Sequence, residues 1–187
     1  QGQIQAYLEH SAPIPDRPRE WKYQSTDPVI AMQVLAAVIP GDAKKFIRDE
    51  FLGKLGIASY NWEEDVSGLP KSAAGSCVRS RDMVKIGQLV LNKGRLGDEQ
   101  LIPAEFIERA TNPLAKTSRE YHYGFFFWVD TVEVDGKRYA CKAGRGAGGQ
   151  YLFMFPELNL VGVITSHNKG MGRMLKAAPE RLIRAFR

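Results

Sequence analysis

The sequence predicts an α+β protein in which helices precede an antiparallel sheet, and three observations carry that prediction. Up to about Pro113 apolar residues recur at helical spacing, as in Phe46, Ile47, Phe51, Leu52 and Leu55. From Tyr121 onward aromatic and β-branched residues alternate in the manner of strands. Within that second part Asp135-Gly136 is a hairpin signal, because both central positions of a type I′ turn need positive φ. Helices and antiparallel strands segregated along the chain indicate α+β rather than an alternating α/β arrangement.

Taken in order, residues 1 to 22 are rich in proline and charge and read as a loop that delivers Tyr23 to a defined place. Thr26 or Asp27 is expected to cap a helix that takes Pro28 in its first turn and runs to about Val38, where Pro40-Gly41 ends it. Asp42 caps a second helix, stopped by Gly56. An irregular stretch from Ala58 to Val78 follows. Ser80 is expected to cap a third helix with Met83, Ile86, Val90 and Leu91 inward, and Pro103 opens a short fourth. Tyr121 to Val134 reads as one strand and Lys137 to Ala143 as its partner. Gln150 to Phe155 and Leu160 to Ser166 form a second pair around Pro156-Glu157-Leu158-Asn159, before a terminal helix over about Met171 to Phe186.

A chain of 187 residues with 44% apolar side chains has the material for a real core. Its longest apolar run, Val29 to Ile39, is broken by Gln33 and is too short to span a bilayer. Residues 1 to 12 lack the basic start and apolar segment of a signal peptide, and Gln1 is no natural start residue, so location is left open between periplasmic or secreted and cytoplasmic. The net charge of +5 comes from 26 basic residues interleaved with 21 acidic ones, the pattern of a solvated surface rather than a nucleic-acid footprint. The one basic cluster, Arg173, Lys176, Arg181, Arg184 and Arg187, decorates the terminal helix, whose other face is Met174, Leu175, Leu182, Ile183 and Phe186. Cys77 and Cys141 have no metal-ligand spacing and read as buried free thiols in preference to a disulfide.

Two segments carry chemistry. Trp21-Lys22-Tyr23-Gln24-Ser25 lies just before a capped helix, and Gly144-Arg145-Gly146-Ala147-Gly148-Gly149-Gln150 leads into the apolar strand Tyr151-Leu152-Phe153-Met154-Phe155-Pro156. Taken alone, a Tyr-x-Ser tripeptide is more often packing, and a glycine-rich segment is more often a plain hairpin or bulge. Gly144, Gly146 and Gly149 fit the G-x-G-x-x-G spacing, but they precede a strand where the dinucleotide fingerprint needs a helix, so no nucleotide cofactor is expected. Between the two lie Phe51-Leu52-Gly53-Lys54-Leu55-Gly56-Ile57, Tyr60-Asn61-Trp62, Gly68-Leu69-Pro70, Arg81-Asp82-Met83-Val84-Lys85-Ile86-Gly87-Gln88-Leu89 and Tyr123-Gly124-Phe125-Phe126-Phe127-Trp128. In order and spacing these resemble the landmarks of the serine β-lactamase and penicillin-binding-protein superfamily, in the class C β-lactamase-like branch with carboxylesterases and 6-aminohexanoate-dimer hydrolases.

The resemblance implies a β-lactamase/transpeptidase-like fold of which residues 1 to 187 are the C-terminal portion of one domain, mainly helical over 1–113 and sheet plus terminal helix over 114–187. The N-terminal strands and the nucleophile helix with its Ser-x-x-Lys are expected upstream of residue 1, leaving a sheet of three or four strands with an exposed edge. It further implies that Tyr23 is the base or acid exchanging a proton with nucleophile and leaving group, that Ser25 orients substrate or the lysine, and that the N–H of Ala147 serves the oxyanion hole. Gly144, Arg145 and Gly146 fall on the three positions of the Lys-Thr-Gly box and, with Gly148, Gly149 and Gln150, are expected to bind substrate. Gly144 stands where the family has Lys or His, a departure that esterase-like and amidase-like branches tolerate. Arg145 can supply the lost charge only if the alternation of its strand aims it at the site.

Two decoys are set aside. Ser166-His167-Asn168-Lys169 satisfies Ser-x-x-Lys literally but follows a strand, where the catalytic motif needs a helix start. His122 and His167 lack any Gly-x-Ser-x-Gly elbow to present a serine. The reading is therefore a cofactor-free serine hydrolase acting on a small ester or amide, with a β-lactam the less expected substrate because Gly144 lacks the cation, and with the nucleophile outside this chain. Its rivals are a non-catalytic ligand-binding or sensor module on the same fold and an interaction domain using the basic terminal helix.

Overall fold

A computed structural model describes residues 3–13, 16, 20–117, 120–168, 170 and 172–187. They fall into two compact units, Gln1–Val78 and Arg79–Arg187.

The first unit is mostly helical. Helix α1, Gln3–His10, forms where the sequence predicted a loop, because prolines begin only at Pro13 and Ile4, Tyr7 and Leu8 repeat at helical spacing. Its last carbonyls are met by side chains, His10 Nδ1 at 2.8 Å from Ala6 O and Ser11 Oγ donating to Tyr7 O. Helix α2, Thr26–Val38, has the predicted length, but its N-cap position is Ser25, which has helical dihedrals and makes no side-chain cap bond. In α3, Ala43–Phe46, Asp42 does cap, accepting from the N–H groups of Lys44 and Lys45 at 2.7 and 3.0 Å. The helix then widens into a π-helical stretch, Ile47–Gly53, and Gly56 closes it at φ +64°.

Strands β1, Tyr60–Trp62, and β2, Ser76–Val78, pair antiparallel where an irregular stretch was expected. Their connection is ordered by Asp65, whose Oδ1 accepts from Ser67 N, Ser67 Oγ and Leu69 N. Cys77 lies exposed on β2, contrary to the expected buried thiol, whereas Cys141 in the second unit is buried and both are free.

The second unit is a six-stranded antiparallel sheet with helices on both faces. In spatial order the strands are β10 (Leu160–Ile164), β9 (Tyr151–Phe155), β8 (Lys137–Arg145), β7 (Trp128–Val134), β6 (His122–Tyr123) and β5 (Ala115–Lys116). Six strands arise where three or four were expected because the predicted single strand from Tyr121 is folded on itself into β6 and β7, and β5, from residues just before it, pairs onto β6. Gly124 cannot carry a Cβ, which would lie 2.1 Å from Ala110 O, and the backbone reverses there through Phe126 at φ +62°. Asp135 and Gly136, at φ 50° and 76°, form the predicted β7–β8 turn.

One sheet face, with Tyr139, Cys141, Ala143, Tyr151, Phe153 and Phe155, packs against α6, Gly172–Phe186, through Ala178 and Ile183. On that helix Leu175 and Leu182 reach the core, but Met174 and Phe186 are exposed. Met171, the expected first residue of this helix, lies outside the described residues. Two of the basic residues are engaged locally, Arg184 with Asp135 and Glu180 and Arg187 with Asp135.

The opposite face, with Leu152, Met154, Val161 and Val163, packs with Val90 of α4, Ser80–Leu91, and Ile107 of α5, Ala104–Ala110. Of the expected inward residues of α4, Val90 is buried and Met83 and Leu91 are half-buried against this cluster, while Leu89 and Gly87 are buried as well. Ser80 does not cap α4. Arg79 holds the N-cap position, and Ser80 Oγ lies 3.3 Å from Thr165 Oγ1 at the end of β10. Because α4 and α5 pack on this sheet, the boundary between the two units falls at Val78, well before the change of periodicity near Pro113. Short strands β3, Arg95–Leu96, and β4, Glu99–Gln100, form a separate hairpin between the two helices.

Candidate active site: a glycine-rich turn at the end of the sheet

Strands β8 and β9 are joined by residues 146–150, and the two strands keep pairing up to Arg145↔Tyr151. Gly146 N–H donates to Gln150 O at 2.7 Å and Gly149 N–H to Gly146 O at 3.2 Å, so the turn is closed by its own backbone. Gly149 holds φ +88°, which a glycine adopts without cost. The other two glycines leave room for a neighbouring side chain. A Cβ on Gly146 would meet Gln150 Oε1 at 2.7 Å, and one on Gly148 would meet Gln150 Nε2 at the same distance.

Gln150 therefore folds back over its own turn. Its Nε2 donates to the carbonyl oxygen of Ser166, and Asn168 N–H donates to Gly148 O at 3.0 Å. The glycine-rich turn is thereby tied to the segment leaving β10, and Ala147 is presented exposed at its tip. Ser166 sits in that irregular segment and accepts from Asn168 Nδ2 at 2.8 Å, not at a helix start, and Lys169 lies outside the described residues.

Alternation on β8 separates Gly144 from Arg145. Gly144 is paired with Leu152, and a Cβ there would make ordinary contact with Leu152 Cβ at 3.7 Å, so this position faces α4 and α5 and tolerates a side chain. Arg145 points to the other face. Its side chain is 9% exposed, with the guanidinium 4.5 Å from the centre of the Tyr121 ring and 5.1 Å from that of Trp128, and 3.4 Å from Asp130. Neither Tyr121 nor Asp130 was singled out from the sequence; the period-2 relation of Trp128 and Asp130 on one strand was the available signal.

Lys142 shares the face of Gly144. Its Nζ donates to Thr111 Oγ1 at 2.8 Å, and Thr111 in turn donates to Ile107 O in the last turn of α5. Burial pushes the Lys142 ammonium below the usual lysine range, partly countered by Glu108. Cys141, on the opposite face, is pushed up to about 12 by burial and is an inert thiol.

In the first unit Tyr23 is 56% exposed and its ring lies 6.2 Å from that of Trp21. Ser25, two residues on, begins α2. Trp62 donates its indole N–H to Lys71 O at 2.7 Å, a structural role, and Asp82 is buried in α4 against Lys85 at 2.7 Å. Among the described residues no group of His, Cys, Asp and Glu has the arrangement of a metal site, and no helix is long and apolar enough to cross a membrane.

The second unit is thus an antiparallel sheet covered by helices on both faces, with a braced glycine-rich turn at one end. The family model described as Beta-lactamase matches residues 1–185, and the chain belongs to that family. The fold is similar to that of a Bacillus anthracis protein provisionally assigned as a 6-aminohexanoate-dimer hydrolase. That likeness has a TM-score of 0.79 at 18% identity over 97% of this chain and 47% of that one. It is also similar to a penicillin-binding protein from Bacillus halodurans, with TM-score 0.69, 14% identity, 96% of this chain and 62% of that one. An octameric penicillin-binding-protein homologue from Pyrococcus abyssi matches with TM-score 0.62, 17% identity, 84% of this chain and 40% of that one. The chain thus spans less than two thirds of each of these proteins. No curated protein matches its sequence.

Proposed function

We propose that this chain supplies the C-terminal part of a serine hydrolase that cleaves an ester or amide through an acyl-enzyme, a β-lactam being disfavoured by the cation absent at Gly144. The nucleophile comes from a Ser-x-x-Lys segment outside this chain, which by itself is inactive. The observation that carries the reading is the glycine-rich turn of residues 146–150, closed by its own hydrogen bonds and braced by Gln150 and Asn168.

The serine oxygen attacks the substrate carbonyl carbon and gives its proton to the Tyr23 oxygen, helped by the lysine of the motif. The tetrahedral oxyanion is met by the N–H of Ala147 and that of the nucleophile, donors that need no reorganisation when the turn is rigid. Tyr23 then protonates the leaving alkoxide or amine, and water repeats the sequence to release the acid. Ser25 orients the lysine or the substrate, and the backbone of Gly144, Arg145, Gly146, Gly148 and Gly149 admits the substrate closely. Gln150 acts by holding the turn, and the Arg145 side chain supports β8 from behind instead of replacing the cation absent at Gly144.

The test is labelling by a fluorophosphonate and by a penicillin, with sequencing of the labelled peptide. A label on a Ser-x-x-Lys serine upstream of this chain, lost in Tyr23→Phe, supports the reading. A protein containing that segment that takes neither label is instead a ligand-binding or sensor module on the same fold.

A further inference from the structure

Phe126 is held in the left-handed region at φ +62°, with half of its side chain in solvent. A bulky residue is strained there, where glycine would serve the backbone without cost. Folding gains little from an aromatic ring that is strained and exposed together, and such outliers concentrate where a ring is needed for something else.

The surroundings show what the ring is for. The loop of residues 124–127 leaves β7 just beyond the pair Trp128↔Ala143, so it lies at the same sheet end as Gly144 and Gly146 and one strand away. By strand spacings the separation is on the order of 10 Å. Phe127 is packed into the cluster of Leu152 and Ile107, on the sheet face of Gly144. Phe125, 36% exposed, has its ring 6.1 Å from that of Phe106, itself 50% exposed, and Arg109 lies 5.5 Å above it. The loop is also rigid. Phe125 N–H donates to Ala110 O and Gly124 N–H to Phe127 O, both at 2.8 Å. An apolar surface fixed in advance binds at lower entropic cost than one ordered on binding.

We infer that Phe125 and Phe126 form a subsite for an apolar acyl group of the substrate, making esters or amides with an apolar acyl chain longer than acetyl the preferred class. The inference rests on the serine-hydrolase reading, but the subsite is tested by binding that needs no chemistry.

Octanoate is titrated into the protein, carried together with its nucleophile segment and labelled with 13C at phenylalanine rings, as wild type, Phe126→Gly and Phe126→Ala. The expected result is a saturable shift of the Phe125 and Phe126 signals in wild type, with Phe125 unshifted in both variants. Turnover of p-nitrophenyl octanoate relative to acetate should fall roughly tenfold in both variants. Phe126→Gly should melt no lower than wild type, since it relieves the left-handed strain. Absence of a wild-type shift overturns the subsite, and so does a lowered melting temperature in Phe126→Gly, which would mean that the ring is packed against another part of the protein. Failure of all ester turnover with the shift intact removes the hydrolase chemistry and leaves the subsite standing.

Discussion

Gln150 donates its side-chain amide to the carbonyl oxygen of Ser166 while occupying the space that side chains on Gly146 and Gly148 would need. One side chain thus fills the space beside two glycines, and joins the exit of β10 to the turn between β8 and β9.

That relationship predicts non-additivity. A Cβ on Gly148 meets only the flexible end of Gln150, so Gly148→Ala is expected to fold while expelling the amide from Ser166. Gln150→Ala should then cost much less in the Gly148→Ala background than in wild type, with a coupling of about 0.5–3 kcal/mol in a thermal or urea double-mutant cycle. Simple additivity would sink the idea that Gln150 braces the turn.

Gly144 and Gly146 should respond oppositely to alanine. Gly144 has room and non-positive φ in a strand interior, so Gly144→Ala should stabilise by about 0.5–1 kcal/mol. Gly146→Ala encounters the backbone oxygen and Cβ of Gln150, both at 3.2 Å, as well as its amide, and should destabilise. Urea midpoints measure both. Equal effects would mean that the turn adapts.

Arg145 should resist conservative replacement. Lysine has no planar group to lay over the Tyr121 and Trp128 rings while reaching Asp130, so Arg145→Lys is expected to lose about 1–2 kcal/mol, near the loss from Arg145→Met. A lysine variant as stable as wild type would show that charge alone suffices there.

Close packing of α4 on the sheet makes Gly87 sensitive. A Cβ there would lie 2.6 Å from Val161 Cγ1 and 3.0 Å from Leu152 Cδ1, so Gly87→Ala should cost about 1–3 kcal/mol despite the better helix propensity of alanine. A raised melting temperature would refute the overpacking.

Lys142 sets a pH dependence. Its folded-state pKa is depressed by burial, so the folded protein binds fewer protons at this site than the unfolded chain does in the alkaline range. Stability linked to this amine is complete above the ordinary lysine pKa and falls away as pH drops through the depressed value. Wild type should therefore gain on Lys142→Met as pH rises toward the ordinary lysine pKa of about 10.4. Melting temperatures of the two proteins over that rise test it, and a gap that is flat or moves the other way would contradict the burial.

The sequence alone was enough for the α+β class, the helices over Thr26–Val38 and Ser80–Leu91, the Asp135-Gly136 turn and the β9–β10 pair, because each is written in local periodicity or turn chemistry. It also located the glycine-rich segment and the landmarks of the family. Local reading failed where a distant group intervenes. Tyr121 to Val134 has the composition of one strand, yet Ala110 O leaves room at residue 124 for nothing larger than glycine and the chain folds back. Ser80 has the chemistry of a cap but faces Thr165. The glycine-rich segment followed the same division. Its glycines were legible as a place of close backbone approach, but which of them faces which side, that Arg145 is packed behind the sheet, and that Gln150 is a brace were decided only when β8 was paired on both edges. Alternation gives the two faces of a strand, and only tertiary packing assigns one of them to α4 and α5 and the other to α6.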